Sequence, residues 1–153
     1  MAPSESNLSE YDDRKDVIIR SIFLATANAA KLERFRRLLS DVPVEILAPL
    51  DLGFTDSPEE HGSTHLGTAI TKAVNWSRSV ESLTVASDGG VQIPVLGDRW
   101  KSLFTHRATG FNVTDEERAA ALMKLLETVP ESDRNAQWVE SIAVAQMGQL
   151  ISA

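Results

Sequence analysis

Apolar residues along this chain change their spacing repeatedly, and each change marks the edge of an element. Val17, Ile18, Ile19, Ile22, Phe23 and Leu24 form a β-branched and aromatic run that predicts a first strand. A polar loop from Thr26 to Lys31 interrupts it. Leu32, Phe35, Leu38 and Leu39 then recur at helical spacing, with Asn28 placed as the N-cap. Val44 to Leu47, between Pro43 and Pro49, reads as a short second strand, and Asp51 to Gly62 as a long acidic loop. Leu66, Ala69, Ile70, Ala73, Val74 and Trp76 predict a helix over 64–80. Leu83 to Ala86 reads as a buried strand stopped by Ser87-Asp88-Gly89-Gly90. Val91, Ile93 and Val95 alternate as a further strand, with Pro94 at an edge or bulge. Thr114 and Glu117 make a capping box for a helix over 114–129, striped by Leu122, Leu125 and Leu126. Ala136 to Met147 reads as a long strand, and Gly148-Gln149 turns into a last one begun at Leu150. This alternation predicts an α/β fold, a mixed twisted sheet flanked by helices.

Composition narrows what such a fold does. The 153 residues suit one domain over 17–153, preceded by a polar tail over 1–16 without the apolar stretch of a signal peptide. A formal charge of −7 argues against stable nucleic acid binding, which draws on a basic face. The absence of cysteine excludes disulfides and thiolate chemistry and suits the cytoplasm. No apolar run approaches the roughly 18 residues of a membrane helix.

Three polar clusters fall where strands or loops end, the usual place for sites in α/β folds. In the first, Asn28 opens a helix and Lys31 follows one turn later, so free backbone N–H groups and an ammonium meet at an anion-binding helix start. The same residues read equally as an ordinary capped helix whose Arg34, Arg36 and Arg37 are solvated. The second cluster is Asp56 to Gly62, with Lys72 on the next helix. Its carboxylates suit Mg²⁺, although a solvated acidic loop is the commoner case. His61 and His65 stand four apart without a third ligand, so a zinc site is rejected and both read as surface histidines. In the third, Asp88 follows a buried strand and precedes two glycines. This places it to hold a metal or to act as a general base, or simply to cap a tight turn.

Taken in order, the blocks Thr26-Ala27-Asn28-Ala29-Ala30-Lys31, Glu60-His61-Gly62-Ser63-Thr64, Ala69-Ile70-Thr71-Lys72-Ala73 and Ala86-Ser87-Asp88-Gly89-Gly90 resemble the inosine triphosphate pyrophosphatase family. Thr105-His106-Arg107 is similar to the family's Ser-Ala-Arg. Leu125-Leu126, Val129-Pro130, Arg134, Ala136 and Trp138 follow its helix-to-strand passage. Departures accompany the likeness. Thr68 stands where the family has Asn, Ser87 where it has Asp, and Gly89 where it has Ser. Arg99-Trp100-Lys101 replaces a Pro-Gly turn, and the family's Gly-Phe-Gly-Tyr-Asp-Pro and Ser-His-Arg segments, which hold the purine base, have no counterpart. The chain therefore reads as a member truncated at the C-terminus.

The resemblance implies Mg²⁺-dependent hydrolysis of aberrant purine nucleoside triphosphates (ITP, dITP, XTP) to the monophosphate and pyrophosphate, by a cytoplasmic homodimer. It places Thr26, Asn28, Lys31, Gly89 and Arg107 on the substrate, Glu60 and Asp88 on the metal, and Asp88 and Lys72 in catalysis. Uncharged Ser87 suggests weakened metal binding that Ser87→Asp would restore. The alternative is a non-catalytic nucleotide-binding or structural protein derived from the same family.

Overall fold

The computed structural model describes residues 21–56, 58, 62–100, 102 and 114–153. The tail over 1–16 and the start of the predicted first strand lie outside these residues. Five strands, β1 (Ser21–Leu24), β2 (Glu45–Leu47), β3 (Leu83–Gln92), β4 (Gln137–Gln146) and β5 (Gln149–Ser152), form one sheet in the order β2-β1-β3-β4-β5. β1 runs parallel to both β2 and β3, whereas β4 and β5 add antiparallel. The sheet is therefore mixed, as the sequence predicts.

Alternation along β1 assigns a helix to each face. Ile22 and Leu24 pack with Phe35 of α1 (Ala29–Leu38), with Ile46 and with Val85. Phe23 and Ala25 turn the other way, onto Ala69, Ala73 and Trp76 of α2 (His65–Trp76). Phe23, Phe54 and Trp76 form the aromatic centre of that second layer, with Phe23 and Phe54 each 5.1 Å from the Trp76 ring. Such tilted and edge-on pairs add roughly 0.5–1.5 kcal/mol each beyond their burial. A smaller third cluster joins α3 (Asp115–Leu126) to Ile93 and Leu96. Thr114 and Glu117 form the predicted capping box of α3.

Two expectations change. Ser87 to Gly90 do not stop a strand: β3 passes straight through them, paired with β4 from Thr84–Ala145 to Gln92–Gln137. The glycines are there because other backbone passes close by, β4 at Gly89 and Ser102 at Gly90. A Cβ on Gly89 would lie 2.5 Å from the Val139 carbonyl, and one on Gly90 would lie 2.9 Å from that of Ser102. The segment after Pro94 is a 3₁₀ turn, Pro94–Arg99, and not a strand. Proline lacks the N–H that a ladder needs and fits the first turn of a helix instead.

Gly89→Ala should therefore destabilise the protein by roughly 1–3 kcal/mol, the usual range for overpacking. Urea denaturation measures this. A midpoint equal to wild type would show that β4 yields to the extra methyl.

Candidate active site

β1 and β3 are neighbours only as far as the Leu24–Val85 pair, with one further bond from the Ala25 N–H to the Val85 carbonyl at 2.8 Å. Beyond it β1 turns away into the loop at Thr26, while β3 runs on to Gln92 against β4. The chain leaves β1 through α1 toward β2 and later returns through α2 to β3 on the other side. Crossovers departing in opposite directions open a crevice at the carboxyl end of the central strands, where α/β sheets bind ligands. The polar residues of this chain gather there.

The loop that leaves β1 is tightly held. Thr26 Oγ1 accepts from the Asn28 N–H at 3.1 Å, and Asn28 Oδ1 accepts from the Lys31 N–H at 3.0 Å, making the predicted N-cap. The first turn of α1 carries no acidic side chain, so nothing in it neutralises the positive end of the helix. Lys31 reaches from α1 over the open edge of β3, its Nζ 3.4 Å from the Ser87 carbonyl and 3.9 Å from a Glu140 carboxylate oxygen. Glu140, on β4 opposite Gly89, also pairs with Arg34. Burial pulls the Lys31 amine below its ordinary pKa. Glu140 and Asp88 oppose that pull, and the charges of Lys72 and Arg34 add to it. Burial raises the Glu140 carboxyl, but hydrogen bonds from Arg34, Ser87 and Trp138 outweigh it and hold the group below the ordinary carboxylate value.

Ser87 and Asp88 are consecutive on a strand and point to opposite faces. Ser87 shares the α1 face with Lys31 and Glu140, whereas Asp88 faces α2. There its Oδ2 accepts from His65 Nδ1 at 2.5 Å, and His65 Nε2 lies 2.9 Å from Ser102 Oγ. Lys72 sits two turns along α2 from His65, and its charge bears on Lys31 across the crevice. Cations from two helices thus approach one gap between strands, with a carboxylate on either face of β3. The arrangement is suited to a polyanionic chain and a water to be deprotonated beside it.

The charges of Lys72 and Asp88 both act on Lys31, and Thr26 and Asn28 shape the loop that opens its helix. Gly89 lies under the same crevice with a packing reason of its own. Thr68, buried on α2, fills the space a Cβ on Gly62 would need. Glu60 and Arg107 lie outside the described residues. His65 is a correction: it is 7 % exposed and bound to Asp88, not a surface histidine. Its signal was the shared helical face of positions 65, 68 and 72. Glu140 is a further residue that the sequence reading does not single out. It is a charged residue in the alternating row of Trp138, Ile142 and Val144, and that break in pattern was its signal.

Comparison with known proteins gives a consistent picture. The sequence model of the Ham1 family matches residues 22–152. A dITP/XTP pyrophosphatase of Salmonella paratyphi A is 33% identical over 120 residues, which is 78% of this chain and 60% of that relative. The chain thus spans about 60% of the length of the curated relatives it matches. A solved HAM1 protein from Coxiella burnetii superposes with a TM-score of 0.74 at 29% identity, over 88% of this chain and 68% of the other. The Staphylococcus aureus Ham1 protein gives 0.68 at 25%, over 83% and 64%.

Two outcomes follow from the α1 face. The pKa of Glu140 is depressed on folding, so the stability it contributes is present above the ordinary glutamate value and is lost as pH falls through the lowered folded value. Urea midpoints measured from neutral to acid pH should fall more steeply for wild type than for Glu140→Gln; parallel curves would contradict this. Ser87 is 3 % exposed and already faces Glu140, so Ser87→Asp sets two carboxylates together. The thermal midpoint of Ser87→Asp should therefore drop, and adding Glu140→Gln should recover most of the loss. Ser87→Asp as stable as wild type would count against the pairing.

Proposed function

The chain belongs to the Ham1 family, and on that footing we propose that it hydrolyses aberrant purine nucleoside triphosphates (ITP, dITP, XTP) to the monophosphate and pyrophosphate, with Mg²⁺. The observation that supports this reading is that the charges of Lys72 and Asp88 both reach Lys31, whose Nζ lies at the Ser87 carbonyl beside the point where β1 leaves β3. The relatives' own designation as dITP/XTP pyrophosphatases supports the substrate class.

The donors present suit a hard cation. Mg²⁺ takes oxygen ligands, needs only one or two carboxylates and completes its shell with water and substrate phosphates. Asp88 keeps one carboxylate oxygen beyond the one bound to His65, and Glu60 is the second ligand in this reading, on the strength of the sequence. When bound, the cation neutralises phosphate charge and polarises the bond to be broken.

The remaining roles belong to side chains. Lys31 and the opening turn of α1 bind the phosphates, with Thr26 and Asn28 fixing the loop and Arg107 adding a further cation. Asp88 takes a proton from the attacking water as its oxygen bonds to the α-phosphorus. The bond between the α-phosphorus and the bridging oxygen breaks, and pyrophosphate departs with the electron pair. Lys72 offsets the negative charge that develops on the leaving group. A homodimer in the cytoplasm, independent of nucleic acid and membrane, completes the proposal. Among the described residues no helix is long and apolar enough to cross a membrane.

Uncharged Ser87 beside the site favours a second reading, a domain that binds nucleotide without cleaving it. Pyrophosphate release from ITP and dITP with Mg²⁺ separates the two. Asp88→Asn should lower kcat by roughly 10² to 10⁴, the usual loss for a positioned base. Lys31→Ala should mainly raise KM, because its charge meets phosphate in ground and transition states alike. Nucleotide binding by wild type without Mg²⁺-dependent pyrophosphate release would leave the second reading standing.

A further inference from the structure

His65 makes two hydrogen bonds from a buried ring, one to Asp88 at 2.5 Å and one to Ser102 at 2.9 Å. A carboxylate only accepts, so Nδ1 carries the proton toward Asp88, and in the neutral ring Nε2 accepts from the Ser102 hydroxyl. The ring is clamped at both ends. Thr64 caps α2 one residue earlier, with its Oγ1 accepting from the Gly67 N–H at 3.0 Å, so the helix start that carries His65 is itself fixed. On the other side Gly90 lets the Ser102 backbone come close, since a Cβ there would meet the Ser102 carbonyl at 2.9 Å.

We propose that His65 is a positioning residue: its Nδ1–H holds Oδ2 of Asp88, and Ser102 holds the ring, so that the other carboxylate oxygen is presented to the crevice. This rests on the reading of Asp88 as the base of the hydrolysis. A carboxylate on a single-carbon stem rotates between orientations. Fixing one oxygen removes that freedom before substrate arrives, and second-layer hydrogen bonds of this kind tune the group they hold. The part of Ser102 is to fix the ring through its hydroxyl at Nε2.

Replacement by amides separates positioning from packing. An asparagine at 65 places an N–H near the former Nδ1, toward Asp88. A glutamine places one near the former Nε2, toward Ser102. His65→Gln should lower kcat for ITP roughly 10- to 100-fold, the usual cost of losing a second-layer partner, with KM within about threefold of wild type. His65→Asn should recover a substantial part of that kcat, and Ser102→Ala should lose less than His65→Gln. Thermal midpoints are measured alongside. Equal kcat in His65→Gln and wild type overturns the proposal. Equal losses in the Asn and Gln variants that track their thermal midpoints also overturn it, because the role is then only structural.

A spectroscopic arm is independent of turnover. In ¹⁵N-histidine-labelled protein, the Nδ1 proton of His65 should resonate far downfield and move upfield in Asp88→Asn. Its absence in wild type overturns the inference whatever the activity. The downfield signal in a protein that releases no pyrophosphate sustains the His65–Asp88 bond and overturns the proposed hydrolysis instead. Covalent labelling of Ser102 by a fluorophosphonate would also overturn the positioning role, since His65 would then be activating a nucleophile.

Discussion

β3 outruns β1, and the chemistry of this molecule depends on that difference in length. Once β1 turns away after Leu24, the edge of β3 from Ala86 onward faces a gap and, among the described residues, not a neighbouring strand. A gap lined only by backbone would leave donors and acceptors unmatched. Here it is bordered by the N-terminal turn of α1 and by side chains from both faces of the sheet. The burial of Phe23 and Ala25 on one face, and of Ile22 and Leu24 on the other, fixes both helices to β1. The helices in turn fix where Lys31 and Lys72 can reach. A change in strand length or register at this point would move every polar group described above.

The charges at the crevice hold one another. Glu140 is anchored by Arg34 and Ser87 and lies close to Lys31, while Asp88 is anchored by His65. Among the described residues no buried side-chain nitrogen or oxygen lacks a hydrogen-bond partner. In a chain of net charge −7, these cations at the mouth of one helix form a local exception. The desolvation that lowers the Lys31 pKa would also strengthen its attraction to any phosphate that replaces water there. Glu140 is the internal anion such a ligand would have to share Lys31 with.

Much of this was legible in the residues. Periodicity finds the helices and most of the strands, and the Asn28 cap and the Thr114–Glu117 box are readable from local chemistry alone. The polar blocks in their order identified the family. Ser87-Asp88-Gly89-Gly90 reads locally as a turn because two glycines after an Asp usually make one. What holds them extended is β4, more than forty residues away, and a local pattern does not carry that pairing. His65 escapes a local reading for a related reason. Its spacing from His61 points only to a metal pair, whereas its partner lies on a strand that only tertiary packing brings near. Ser87 reads locally as an uncharged substitute for an Asp. Its hydrogen bond to Glu140 on the neighbouring strand is visible only once β3 and β4 are in register.

The central claim is that a phosphate chain binds in the gap where β1 leaves β3. Backbone amide NMR during titration with tripolyphosphate and Mg²⁺ tests it most directly. The account predicts saturable shifts at Thr26 to Lys31 and at Ser87 to Gly90, with little change along β5. Shifts confined to the outer arginines of α1, or none at saturating ligand, would contradict it.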